Sequence, residues 1–179
     1  MKKKKFTIET PNGADKVLLH TCCAPCSTAM IECMLQHGIR PTIFYYNPNI
    51  YPSEEFEFRM EEQKRFISEF MNNNPDVNPI HFIAGEYESD RFYEVSKGLE
   101  NEPERGLRCT ECFKLRLSEA AKVASQRGFD YFTTTLSISP HKDANLLNTL
   151  GEEIAKEYGI NYLYSDFKKK GGFLRSTEL

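Results

Sequence analysis

Two hydrophobic rhythms alternate along the chain. Lys16–His20 (KVLLH) is a continuous apolar run of strand length, and a cysteine-rich loop breaks it. Ser27 or Thr28 stands where a helix could be capped, and that helix would run to about His37, where Gly38 stops it. Thr42–Tyr46 (TIFYY) is β-branched and aromatic, which predicts a second strand ended by Asn47-Pro48-Asn49. From Ser53 onward Phe56, Met60, Phe66, Ile67 and Phe70 predict a long amphipathic helix with a glutamate-rich outer face. Pro79–Ile83 predicts a third strand, Glu86–Leu99 a helix, and Asn101–Leu107 a charged loop with a proline and a glycine. A helix opened by Cys109 and closed by Gly128, a strand at Tyr131–Leu136, a helix over Lys142–Tyr158 and a strand at Asn161–Tyr164 complete the series.

Strand and helix thus alternate with no internal repeat. That order predicts an α/β fold of three layers, a Rossmann-like parallel sheet of about five strands with helices on both faces. Ligands in such sheets bind beyond the carboxyl ends of the strands, near the reversal of strand order. The loops after strands one, two and four all leave the sheet at that edge, so motifs distant in sequence can meet there.

A length of 179 residues suits one domain, expected over 1–179. No apolar run approaches the roughly 20 residues of a membrane span, and MKKKKFTIET has a basic tip without an apolar stretch behind it. The expectation is a cytoplasmic protein with no membrane partner, whose six cysteines are reduced and available for metal binding or catalysis. The net charge of −3 gives no bulk attraction to nucleic acid. An RNA contact would need a local basic surface, for which Lys168, Lys169, Lys170 and Arg175 are candidates beside the simpler reading of a solvated end.

The chemistry lies in two cysteine groups. HTCCAPCSTA places Cys22, Cys23 and Cys26 after the first strand, and RCTECFKLRL places Cys109 and Cys112 three apart at a helix start. Residues three apart on a helix share a face, and a helix N-terminus favours thiolate over thiol. Zinc prefers four ligands on short knuckles, whereas the side chains of the adjacent Cys22 and Cys23 diverge. Neighbouring thiolates can reach different corners of a larger iron–sulfur cluster. The residues favour the cluster and leave zinc or a redox dithiol open.

Other residues have plainer readings. Cys33 fits a buried helix position, His37 a helix end, His81 a satisfied core histidine, and the aromatics of helix 53–70 the core. His20 and His141 both fall at the expected active edge and are candidates for substrate contact.

LLHTCCAPCS, FYYNPNIYP with its Glu/Arg-rich helix, LRCTECFKLRL, FTTTLSISPHK and SDFKKKGGF together resemble the QueH-type epoxyqueuosine reductases, in order, over about residues 16 to 179. The resemblance implies an iron–sulfur enzyme of the adenine-nucleotide hydrolase-like fold group. Its reaction would be the last step of queuosine biosynthesis, reduction of epoxyqueuosine at the tRNA wobble position without cobalamin. It implies a four-iron (4Fe-4S) cluster on Cys22, Cys23, Cys109 and Cys112, and Cys26 at an additional adjacent iron or as a catalytic thiol. His141, Lys142 and an iron-bound water are candidate proton sources, and Tyr46, Asn47, Asn49 and Arg108 candidate contacts to the extruded base. The implied partners are tRNA carrying epoxyqueuosine and an unidentified electron donor. Family members continue into a tail with a closely spaced cysteine pair, and the reading over 1–179 is one domain lacking that tail.

Two rival readings follow from the same cysteines. One is a cytosolic thiol–disulfide oxidoreductase using Cys23 and Cys26, which leaves Cys22, Cys109 and Cys112 idle. The other is a zinc-stabilised RNA-binding module. Brown colour separates the cluster from both.

Overall fold

A computed structural model of the chain describes residues 16–22, 24–36, 39–74, 80–101, 107–138 and 144–163. Five strands, β1 (Lys16–Thr21), β2 (Arg40–Tyr45), β3 (His81–Ala84), β4 (Tyr131–Thr134) and β5 (Asn161–Tyr162), form one sheet in the order β3-β2-β1-β4-β5. Every neighbouring pair is parallel. The intervening helices are α1 (Ala24–Gln36), α2 (Ser53–Asn73), α3 (Ser89–Ser96), α4 (Leu107–Gln126) and α5 (Ala144–Tyr158). The expected α/β architecture is present.

Alternation along the strands assigns each residue to a layer. Leu18, Phe44 and Phe132 join Phe92 of α3, Phe113 and Leu117 of α4, and Leu147 of α5 in one apolar cluster. Val17, Leu19, Ile43 and Tyr131 face the other way, onto Met30, Ile31 and Met34 of α1 and Ile67 of α2. Helices therefore cover both faces, as a fully buried parallel sheet requires. Burial of each of these large apolar side chains contributes about 1.5–3 kcal/mol.

One glycine is set by close approach. A Cβ on Gly151 of α5 would lie 2.5 Å from Cε2 of Tyr162, so only a bare backbone lets α5 settle onto the β5 ring. The same tyrosine donates its hydroxyl to Asn148 Oδ1 at 2.9 Å, one turn earlier on α5.

Several local expectations are corrected. Helix α1 begins at Ala24 rather than at a Ser27 or Thr28 cap, because Pro25 is tolerated in a first turn whose N–H groups have no intrahelical acceptor. Ser27 is instead fully buried, and its hydroxyl accepts a hydrogen bond from Gln63 Nε2 at 3.0 Å. Strand β4 stops at Thr134, and Thr135–Ile138 turn as a 3-10 helix. His81 is exposed on the edge strand β3, not a core residue. Among the α2 aromatics Phe56 is core, but Phe58 is exposed. His37, Gly38 and the basic residues at 168–170 and 175 lie outside the described residues.

Candidate functional site

The chain reverses its order of strand addition between β1 and β4, so the cleft beyond their carboxyl ends is the expected ligand site. His20 stands there, paired across the sheet with Thr134. Its Nδ1 lies 2.9 Å from the Thr134 hydroxyl, and its Nε2 lies 2.8 Å from the Tyr46 carbonyl. A carbonyl only accepts, so Nε2 carries the proton and Nδ1 accepts from Thr134. The Thr134 oxygen in turn accepts from the Leu136 amide at 3.2 Å. Complete burial, and then the nearby Arg116 guanidinium, hold the imidazole down at about 4, so it is neutral near pH 7. His20 is a strut joining the ends of β1, β2 and β4. With both nitrogens engaged inside the protein, it does not serve the substrate contact expected of it.

A second tie fixes the exit of the cysteine loop. Asn47, fully buried just past β2, donates from Nδ2 to the Thr21 carbonyl at 2.9 Å. Thr21 is the last residue of β1, and Cys22 follows it directly. Asn47 Oδ1 accepts a long hydrogen bond of 3.5 Å from Arg116 Nη1 on α4. Arg116 is only 4% exposed, and its Nε has no hydrogen-bond partner among the described residues. The guanidinium also lies 5.8 Å from the centre of the Phe113 ring. Buried cation, buried amide and neutral imidazole thus form a polar floor in an otherwise apolar layer.

One described cysteine of each group packs against the same core from a different segment. Cys112, 6% exposed, belongs to the α4 side of the core, and Cys22, half-buried, packs against the same cluster. Cys109, Cys112 and Arg116 fall three and four residues apart on α4, one continuous stripe of the helix. Cys26 sits in the first turn of α1. The side chains of Cys26, Cys33 and Cys109, and all of Cys23, His141 and Lys142, lie outside the described residues.

The expected base contacts have distinct surroundings. The Tyr46 ring is buried and stacked parallel to Phe44 with centres 6.0 Å apart, and its hydroxyl accepts from Arg91 Nη1 at 3.1 Å. Burial pushes that phenol well above the usual tyrosine range, so it stays protonated. Asn49 is half-buried, and its Oδ1 has no partner among the described residues. Arg108 lies with its guanidinium carbon 5.4 Å from the centre of the Phe92 ring. Tyr51, two residues past Asn49, is 75% exposed at the same edge.

The model of the family described as "Epoxyqueuosine reductase QueH" matches residues 17–179. The chain belongs to that family. An epoxyqueuosine reductase QueH of Staphylococcus epidermidis is 44% identical over 166 residues, spanning 92% of this chain and 68% of the relative. QueH of Acinetobacter baylyi is 41% identical, spanning 100% of this chain and 79% of the relative. QueH of Haemophilus influenzae is 42% identical, spanning 96% and 67%. A solved structure from Methanocaldococcus jannaschii, described as a predicted subunit of a tRNA methyltransferase, aligns with a TM-score of 0.57. It is 11% identical and covers 90% of this chain and 75% of its own, so it supports the parallel α/β fold alone.

Among the described residues no three His, Cys, Asp or Glu side chains come together as a metal-binding group, and no helix is long and apolar enough to cross a membrane. The residues nonetheless fit an anionic thiolate-held cluster. Cys22 and Cys112 share one apolar cluster, and Arg116, one turn past Cys112 on α4, is a buried cation whose Nε has no partner among the described residues. Sequence reading missed Arg116 and Thr134. The signal for Arg116 was its place in the apolar stripe Cys112-Phe113-Leu117-Ala120, where a core helix would otherwise carry an aliphatic residue. No local signal marked Thr134, whose partner lies 114 residues away.

Proposed function

We propose that this QueH-family chain removes the epoxide oxygen of epoxyqueuosine at the wobble position of tRNA, leaving the cyclopentene of queuosine. The conversion consumes two electrons and two protons, breaks both C–O bonds of the epoxide and releases the oxygen as water. In this reading Cys22, Cys23, Cys109 and Cys112 hold a four-iron cluster, and Cys26 acts beside it on an additional iron or on the substrate. Such a cluster supplies electrons one at a time at a potential tuned by its surroundings.

The observation that carries the reading is the packing of Cys22 and Cys112, from separate segments, against one apolar cluster at the reversal of strand order. The protein residues divide the remaining work. His20 fixes the edge and, being neutral with both nitrogens engaged, supplies no proton. Of the protein's own residues, His141 and Lys142, after β4 in the sequence, are assigned to proton delivery, beside water as the other source. Asn47 holds the first cysteine loop in register with β2. Asn49, whose Oδ1 has no partner among the described residues, and Arg108 are assigned to the extruded base, and Tyr46 lends them a rigid backing.

The test is a single turnover under anaerobic conditions. The iron-loaded chain, given a strong chemical reductant and tRNA bearing epoxyqueuosine, should yield a wobble nucleoside lighter by one oxygen atom. Iron-loaded, chemically reduced protein that leaves the nucleoside unchanged contradicts the proposed reaction.

A further inference from the structure

Arg116 is the least expected residue of the core. It occupies an apolar stripe of α4, is almost wholly buried, and among the described residues has no carboxylate partner. Its described polar contact is the long bond from Nη1 to Asn47, and its Nε donates to nothing described. A buried guanidinium without an anion is costly, and one amide oxygen at 3.5 Å offsets little of that cost. Side chains on a helix lean toward its N-terminus, so Arg116 leans toward Cys112, one turn earlier on the same stripe. Asn47, which accepts from Arg116, also donates to the carbonyl of Thr21 directly before Cys22, which puts the start of the cysteine loop near the same cation.

We propose that Arg116 is the buried counter-charge of the thiolate-held cluster, the cation that retains it and raises its reduction potential. The proposal rests on the cluster reading above. A cluster with four thiolate ligands is anionic and becomes more so on reduction. A fixed positive charge beside it therefore favours the reduced form, and cluster potentials respond to nearby charge and hydrogen bonding. Arg116 is a tuning residue that acts on the substrate only through the cluster. Asn47 orients it, and the same amide fixes Thr21 at the mouth of the cysteine loop. The cysteine loop and the cation are thereby set by one side chain.

The test compares the unsubstituted chain with Arg116→Met and Arg116→Lys, each with iron loaded anaerobically and each with iron chelated. In the loaded form Arg116→Met should shift the ratio of reduced to oxidised cluster at fixed potential by about tenfold toward oxidised, or about 59 mV for one electron. Arg116→Lys, which keeps the charge, should stay close to the unsubstituted chain. In the chelated form Arg116→Met should melt at a higher temperature, because the unsatisfied cation is gone. A merely structural arginine would give the opposite sign. Arg116→Met that folds but loses iron, while Arg116→Lys retains it, also supports the counter-charge. An unchanged potential in Arg116→Met, or a lower melting temperature for its chelated form, overturns the assignment. If the unsubstituted chain itself takes up no iron, the cluster reading has failed and this proposal falls with it. If it loads iron and Arg116→Met matches it in every respect, only the assignment of Arg116 has failed.

Discussion

The Thr134 hydroxyl donates to Nδ1 of His20 at 2.9 Å, closing the carboxyl ends of β1 and β4 onto each other at the point where strand order reverses. The bond is wholly buried, and it fixes the imidazole tautomer that ties Tyr46, and so the end of β2, to the same point. The candidate site is thus held by one neutral side chain from the central strand.

Thr134→Val keeps the shape and removes the hydroxyl, leaving His20 Nδ1 and the Leu136 amide without their shared partner. The expected loss is about 1–3 kcal/mol of unfolding free energy, the usual cost of an unsatisfied buried polar group. Thr134→Ser, which restores the hydroxyl, should recover most of it. Denaturant melts of the three chains provide the comparison, and equal stability of the valine and threonine forms would show that the strut carries no load.

Gly151→Ala should destabilise the chain by about 1–3 kcal/mol, because its methyl group would enter the Tyr162 ring, which has no room to retreat inside the core. In a Tyr162→Ala background the same substitution should cost little. A full cost in both backgrounds would place the effect elsewhere than in this contact.

Cys26→Ala should retain the visible absorption of a loaded four-iron cluster and lose epoxyqueuosine reduction. Absorption and the tRNA assay, measured on one preparation, decide it. Disappearance of the cluster along with activity would make Cys26 a cluster ligand.

Most of the fold could be read from hydrophobic rhythm, since a parallel sheet buried on both faces leaves runs such as KVLLH and TIFYY that nothing else explains. Element ends were harder. Pro25 reads as a breaker, yet it sits in the first turn of α1, and the Ser27 that resembled a cap is packed against α2 instead. His81 looked like core because its strand is apolar, but β3 is the edge strand of the sheet and its first and last residues are exposed. The cysteines mark the candidate site by type and spacing. The groups that brace it do not, because Asn47 and Thr134 act through partners distant in sequence. Arg116 stood in plain view within RCTECFKLRL, one helical turn past Cys112, but its significance depends on burial, which local sequence does not reveal.

In the proposed reading two separated cysteine groups hold one cluster at the β1–β4 edge. Its most direct test is iron and sulfide content after anaerobic reconstitution of the unsubstituted chain, Cys22→Ser, Cys23→Ser, Cys109→Ser, Cys112→Ser and Cys33→Ser. The unsubstituted protein and Cys33→Ser should hold about four irons per chain, or about five where Cys26 holds an additional iron, and each of the other four should show a marked loss of iron and colour. Full iron content in both Cys22→Ser and Cys112→Ser, or a loss in Cys33→Ser as large as in Cys109→Ser, would contradict it.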